Sequence, residues 1–332
     1  MTVSFSGWVS ESFSTIADGT RSLPARLLRP LYLLYEGAFL SATSRYPIGT
    51  NVFERDWDAL IILDTCRVDA LAELAPEYEF LGEVDSIRSV GSSSFEWMNQ
   101  TFRTSYREEI GETAYVTQNG FHDQILGKGG ITGQAMLPIG PSRFDVVSPS
   151  DLCYLEGLWQ ADFEDSSEWK VESEVTERVH PRYTTDRAIR AGRGHDCDRL
   201  MVHYMYPHDP YVLADPKLQP NFDAALKSGD ASREEVWEAY LDNLRFVLDE
   251  VELLLENLDR DNVIISADHG EAFGEYGFYR HPPACPLPSV RRVPWASADA
   301  SDEETYEPRA PAPEETETSS TVDERLKQLG YL

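Results

Sequence analysis

The stretch Asn262-Val263-Ile264-Ile265-Ser266-Ala267-Asp268-His269-Gly270-Glu271 decides the fold of this chain. A short apolar, β-branched run of this kind reads as a buried strand. It ends in an acid and an imidazole, two metal-grade ligands, and open α/β sheets bind their ligands at the carboxyl ends of their strands. Far upstream, Ala59-Leu60-Ile61-Ile62-Leu63 ends the same way in Asp64, followed by Thr65-Cys66-Arg67-Val68-Asp69. Two parallel strands that each finish in a carboxylate can converge on one cation. An enzyme is therefore the leading expectation.

Working outward, Thr113–Thr117 and Arg199–Tyr204 supply two further strand patterns. Between them and the last strand, Val236, Tyr240, Leu244, Val247, Val251, Leu254 and Leu258 recur at three- and four-residue steps, which predicts a long amphipathic helix over 234–258. Strands alternating with helices predict an α/β fold, a mostly parallel doubly wound sheet flanked by helices in one main domain. Residues 1–50 read as a helical N-terminal extension and 51–296 as the catalytic-type domain. The Glu-, Ser- and Pro-rich stretch 297–321 reads as a disordered acidic linker, and 322–332 as a short docking helix. The middle, about 120–195, shows no clear periodicity.

The chain has 332 residues, ample for one large core, and a formal charge of −29. Lys128, Lys170, Lys217, Lys227 and Lys327 are its only lysines. Excess acid with scarce lysine keeps a surface hydrated in molar salt, where the Debye length falls to roughly 3 Å. A halophilic, cytoplasmic-type acidic surface is expected. Nucleic acid is excluded as a partner, because phosphate contacts need clustered Lys and Arg. Cys66, Cys153, Cys197 and Cys285 form no C-x-x-C pair and read as buried free thiols. The N-terminus lacks a charged n-region and an h-region, so no secretory signal is expected. The segment 23–40, apolar and locally basic, has two readings: a helix packed on the main domain, or a peripheral membrane contact on the inner face.

Four ordered elements, with a fifth at the C-terminus, resemble the alkaline phosphatase/sulfatase superfamily, closest to sulfatase-like hydrolases of halophiles. Asp64, Arg67 and Asp69 match its first metal-binding element. Pro207-His208-Asp209-Pro210-Tyr211 matches a central P-H-x-P-Y element, and Asp268 through Gly277 match the late D-H-G-E-x-x-G-E-x-G element. Val293-Pro294 and Leu329-Gly330-Tyr331 match its closing elements. The resemblance implies a nucleophile at a helix N-terminus within Ser89-Val90-Gly91-Ser92-Ser93-Ser94-Phe95-Glu96. Counting back four residues from Glu96 points to Ser92, while Ser93 has capping-box spacing to Glu96 and Ser94 is the rival nucleophile.

The resemblance further implies one divalent metal, Mn²⁺, Mg²⁺ or Ca²⁺ rather than Zn²⁺, held by Asp64, Ser92, Asp268 and His269. A second metal is not implied, because Tyr204 stands where a D-x-x-x-H pair would need its aspartate. His208 and His281 are implied at substrate oxygens, His281 as general acid, with Arg67 as an anion partner or a partner of Asp69. The C-x-P-S-R string of classical sulfatases is absent. A metal-dependent phosphoester hydrolase or phosphotransferase is therefore expected, acting on a small-molecule, glycan- or lipid-linked phosphate or sulfate ester. A sulfoester hydrolase with an unmodified serine, and a silent anion- or glycan-binding relative, are the alternatives.

Overall fold

Seven strands form one mixed sheet in the computed structural model, which describes residues 2–17, 23–129, 136–159, 161, 167–172, 177–219 and 221–313. They are β1 (Ala59–Leu63), β2 (Asp85–Arg88), β3 (Thr113–Thr117), β4 (Tyr154–Gly157), β5 (Arg199–Tyr204), β6 (Val263–Ser266) and β7 (Arg292–Ala298). Their order across the sheet is β2-β7-β6-β1-β5-β3-β4. Only β7 runs against its neighbours; the others share one direction. The expected mostly parallel sheet is therefore present, and the four strands anticipated from sequence form its centre.

Side chains on successive strand residues point to opposite faces, so each central strand feeds two cores. Ala59, Ile61, Leu63, Val202 and Ile265 enter one core, while Leu60, Ile62, Met201 and Ile264 enter the other. The helices that bear on this arrangement are α1 (Phe5–Ala17), α2 (Leu23–Thr43), α3 (Val68–Leu74), α4 (Ser94–Thr101), α5 (Pro181–Gly194) and α6 (Arg233–Leu255). The first core is closed by α3, α5 and α6, the second by α2 and α4. Helix α6 starts at a capping box between Ser232 and Glu235, and its expected stripe from Val236 to Leu254 is buried.

Three sequence expectations change. The segment from 297, expected to be a disordered linker, belongs to the domain as far as residue 313. Ser297 and Ala298 pair with β6, and the following chain is held by α5. There Asp186 Oδ2 accepts the Arg309 and Ala310 N–H groups at 2.6 and 2.8 Å, and Arg190 donates to the Pro308 carbonyl at 2.6 Å. Backbone captured in this way needs no apolar pattern, which is why composition misreads it. Residues 314–332, with the expected docking helix and Leu329-Gly330-Tyr331, lie outside the described residues.

Second, Cys153 and Cys197 form a disulfide with their Cα atoms 6.0 Å apart, while Cys66 and Cys285 are free and buried. The partners lie beside the starts of β4 and β5, a proximity that only the folded sheet creates. Third, the unreadable middle contains α5, opened by Pro181 after the His180 cap. The N-terminal residues contain the helices α1 and α2. They are fastened by pairing of Thr2–Val3 with Met136–Leu137 and by burial of Leu33 and Leu40 of α2.

Candidate metal centre and active site

Four adjacent strands, β6, β1, β5 and β3, aim their carboxyl ends at one point. Asp64 directly follows β1, Asp268 and His269 follow β6, His203 is the penultimate residue of β5, and Asn119 lies just past β3. All five side chains are buried. Helix α4 points its N-terminus at the same place. Ser93 is its N-cap, accepting the Glu96 N–H at 3.3 Å, so Ser94 is the first helical residue.

The Ser94 Oγ lies 2.7 Å from Asp268 Oδ2, 3.2 Å from Asp64 Oδ2 and 3.3 Å from His269 Nε2. His203 Nε2 is 3.8 Å from both Asp64 Oδ2 and Asp268 Oδ2 and makes no hydrogen bond of its own. Asn119 Nδ2 donates to Asp64 Oδ2 at 3.3 Å. The structure thus brings Asp64, Asp268 and His269 together, as the sequence suggested.

The imidazoles are oriented for ligation. His269 Nδ1 faces the Gly270 carbonyl at 2.9 Å, and a carbonyl only accepts, so the proton sits on Nδ1. The Nε2 lone pair then faces the oxygens of Asp268 at 3.3 Å and Asp64 at 3.8 Å. Lone pair against carboxylate is repulsive unless a cation or proton lies between them. Burial, then the charge of His281, lowers the His269 pKa to about 4, and burial lowers His203 to about 3. Both rings are therefore neutral at pH 7, as metal ligands must be. Burial raises Asp268 to about 7, against hydrogen bonds from Ser94 and from backbone N–H groups. The donor set, the convergent carboxylates and the unbonded His203 Nε2 all fit a divalent ion.

The backbone around the cluster is constrained. Thr65 adopts φ 68°, a left-handed conformation that a β-branched residue avoids. It thereby turns its N–H to Asp268 Oδ1 at 3.3 Å, while Tyr240 of α6 bonds the Thr65 carbonyl at 2.9 Å. Gly270 is required by space: a Cβ there would lie 2.1 Å from the Ser289 carbonyl oxygen.

His281 and His208 flank this cluster of carboxylates and imidazoles. The His281 ring centroid is 4.4 Å from that of His269 and 5.0 Å from that of His208. His281 Nδ1 lies 3.1 Å from Glu271 Oε2, and burial raises that carboxyl to about 7. His208 is held by its neighbours: its Nδ1 faces the Asp209 carbonyl, and Arg178 donates to the His208 carbonyl. Arg280 clamps Asp209 with bonds of 2.8 and 2.9 Å.

Two expected site residues are elsewhere. Ser92, expected as nucleophile and ligand, points its Oγ away from the carboxylates. It donates to Glu96 Oε2 at 2.8 Å and accepts the Cys285 N–H at 3.0 Å. The helix start explains this: with Ser93 capping, Ser92 lies outside the first turn and Ser94 faces the strand ends. Arg67, expected at the substrate anion or at Asp69, takes the second of these places. It pairs with Asp69 at 2.6 Å and Glu275 at 2.8 Å and donates to the Glu271 carbonyl at 3.0 Å, stapling the start of α3 to the 271–275 loop. Sequence reasoning missed His203 and Asn119. The signal for His203 was a histidine inside an apolar strand, directly before Tyr204.

No family model and no curated protein matches this chain. Among solved structures, it is similar to the soluble domain of lipooligosaccharide phosphoethanolamine transferase A from Neisseria meningitidis, at 16% identity and TM-score 0.42, over 72% of this chain and 75% of that one. It is similar to the C-terminal periplasmic domain of phosphoethanolamine transferase EptC from Campylobacter jejuni, at 14% identity and TM-score 0.39, over 72% and 77%. It is also similar to a protein provisionally described as a sulfatase from Bacteroides thetaiotaomicron, at 11% identity and TM-score 0.42, over 82% and 70%.

Proposed function

We propose that the chain is a metal-dependent phosphoester hydrolase or phosphotransferase of the alkaline phosphatase/sulfatase superfamily, with Ser94 as nucleophile. One observation carries this reading: a single serine hydroxyl sits at a helix N-terminus between two buried carboxylates and an imidazole lone pair. Asp64, Ser94, Asp268 and His269 would hold the ion, with His203 within reach. The bound cation would offset the two carboxylates and make the Ser94 hydroxyl easier to deprotonate. A second imidazole beside the expected oxygen-rich set moves the preference from Mg²⁺ and Ca²⁺ toward Mn²⁺ or Zn²⁺.

Ser94 Oγ passes its proton to Asp268 Oδ2, 2.7 Å away, and attacks phosphorus in line, forming the Ser94 O–P bond as the bond to the leaving oxygen breaks. The N–H groups at the start of α4 face the anionic phosphoryl oxygens. His281 is neutral at pH 7, because burial and then Arg280 lower its pKa to about 3, and its one proton, on Nε2, passes to the leaving oxygen. Glu271, whose carboxyl burial raises to about 7, gives its proton to Nδ1 as Nε2 loses its own, and the negative phosphate favours that transfer. His208 faces the same space and orients the ester. Water or an acceptor alcohol then attacks the phosphoserine, its proton returning to the His281–Glu271 pair, and Ser94 takes its own proton back from Asp268.

The test is a panel of aryl phosphate monoester, diester and sulfate ester, assayed with Mn²⁺, Zn²⁺ and chelator. Turnover of a phosphate ester that chelator abolishes, with ³²P retained on wild type and not on Ser94→Ala, supports the reading. Inertness with every metal, or turnover of the sulfate ester alone, contradicts it.

A further inference from the structure

Large apolar side chains exposed to solvent are concentrated in one place, the α1–α2 hairpin. On α2, Leu27, Leu28, Leu31, Leu34 and Tyr35 are exposed, Leu28 and Leu31 each at 61%. Their spacing puts all five on one stripe of the helix, opposite Leu33, Glu36 and Leu40, which are buried against the domain. On α1, Phe5, Phe13 and Ile16 share one face, and Phe13 is 70% exposed. Among the described residues no helix is long and apolar enough to cross a membrane. The hairpin therefore presents an apolar surface without forming a span.

Charge distinguishes this surface from the rest of the molecule. Residues 1–46 carry Arg21, Arg26, Arg29 and Arg45 against Glu11, Asp18 and Glu36, a balance of +1 in a chain of −29. An anionic surface would repel the remainder of the protein and accept this segment. The hairpin is also joined to the site. Tyr32 donates to the Pro283 carbonyl at 2.7 Å and Tyr35 to the Ala284 carbonyl at 3.0 Å, in the turn directly after His281. Tyr32 further packs on Phe278, with ring centroids 6.1 Å apart.

We propose that the exposed apolar stripe of α2, with the facing residues of α1, docks on an anionic lipid surface and so places the His281 turn at that surface. An apolar stripe entering the acyl boundary beneath a basic fringe is the binding mode of interfacial helices. Docking is independent of which ester the site cleaves. It predicts a substrate presented by lipid, because the turn that carries His281 is tied to the same helix.

The experiment is cosedimentation of the full chain with vesicles of phosphatidylglycerol and phosphatidylcholine, and with phosphatidylcholine alone, with the oligomeric state measured by light scattering. Wild type should pellet with the anionic vesicles as a monomer. The triple variant Leu27→Glu, Leu31→Glu, Leu34→Glu should lose at least tenfold in vesicle affinity while keeping the wild-type melting temperature and turnover of a soluble aryl ester. Wild type that stays in the supernatant overturns the proposal, whatever the variant does. So does equal binding by the variant, or a wild-type dimer that the variant dissolves, since a second copy would then be what covers the stripe.

Discussion

Two buried polar clusters flank the first turn of α4, built from the same residue types and completed in different ways. On one side, Ser92 and Glu96 meet Arg291, whose guanidinium bonds Glu96 Oε1 at 2.9 Å and the Cys285 carbonyl at 2.6 Å. The Ala284 N–H adds a further bond to Glu96 at 3.2 Å. Negative charge there is offset by a protein cation, and the cluster is closed. On the other side, Ser94 meets Asp64, Asp268, His203 and His269. Among the described residues no arginine or lysine pairs with Asp268, and the two histidines are neutral at pH 7. The comparison teaches that burial of a serine and an acid does not mark a reactive site. What marks it is two carboxylates converging on one serine hydroxyl and on an imidazole lone pair.

The largest expected effect separates the two serines. Ser94→Ala should lower kcat by about a thousandfold or more, because it removes the attacking atom, with little change in melting temperature. Ester hydrolysis within tenfold of wild type would break the comparison. Arg291→Met should do the reverse. Removing one partner of a buried pair leaves Glu96 uncompensated and costs about 3–5 kcal/mol of stability, read by denaturant titration. Metal affinity should be unchanged, and a matching loss of metal would show the clusters to be one.

A third expectation concerns Glu36 of α2, whose carboxyl is raised to about 7 by burial and then by the Glu96 charge. Its Oε1 has no hydrogen-bond partner. The folded-state pKa lies above the unfolded value, so the unfolded chain releases this proton first as pH rises. Stability therefore falls between about pH 4.5 and pH 7 and is flat above that window. Glu36→Gln should remove that slope and stabilise the protein at pH 8 by about 3 kcal/mol, with no difference near pH 4. An unchanged slope would show that Glu36 is paired. The smallest effect belongs to Ser92→Ala, which deletes two buried bonds and should cost about 1–3 kcal/mol, with kcat/KM within a few fold of wild type.

Much of this was legible in the chain, for physical reasons. The strands ending in Asp64 and Asp268 announce themselves because a strand buried on both faces must be apolar throughout. The long stripe of α6 is equally plain. The two serines, only two residues apart, differ in where the helix begins, and the spacing from Ser93 to Glu96 recorded that start. Capping chemistry read alone assigns Ser94; counting from Glu96 by family analogy led to Ser92. For Arg67 the sequence left an anion or Asp69 open, because its further partners Glu275 and the Glu271 carbonyl arrive from the far end of the sequence. His203 was obscured for a similar reason. Its place in the candidate site appears only when β5 is laid beside β1, setting it opposite Ile62 and near both carboxylates. The Cys153–Cys197 bridge and the capture of residues 299–313 by α5 are products of tertiary proximity, which no local pattern encodes.

The central claim is that one divalent ion is shared by Asp64, Ser94, Asp268 and His269. Isothermal titration of Mn²⁺ and Zn²⁺ into chelator-treated wild type, Asp268→Asn, Ser94→Ala and Ser92→Ala tests it most directly. The account predicts one ion per wild-type chain, loss of binding in Asp268→Asn, weakened binding in Ser94→Ala, and wild-type affinity in Ser92→Ala. Wild-type affinity in Asp268→Asn, or loss of the ion in Ser92→Ala alone, would contradict it.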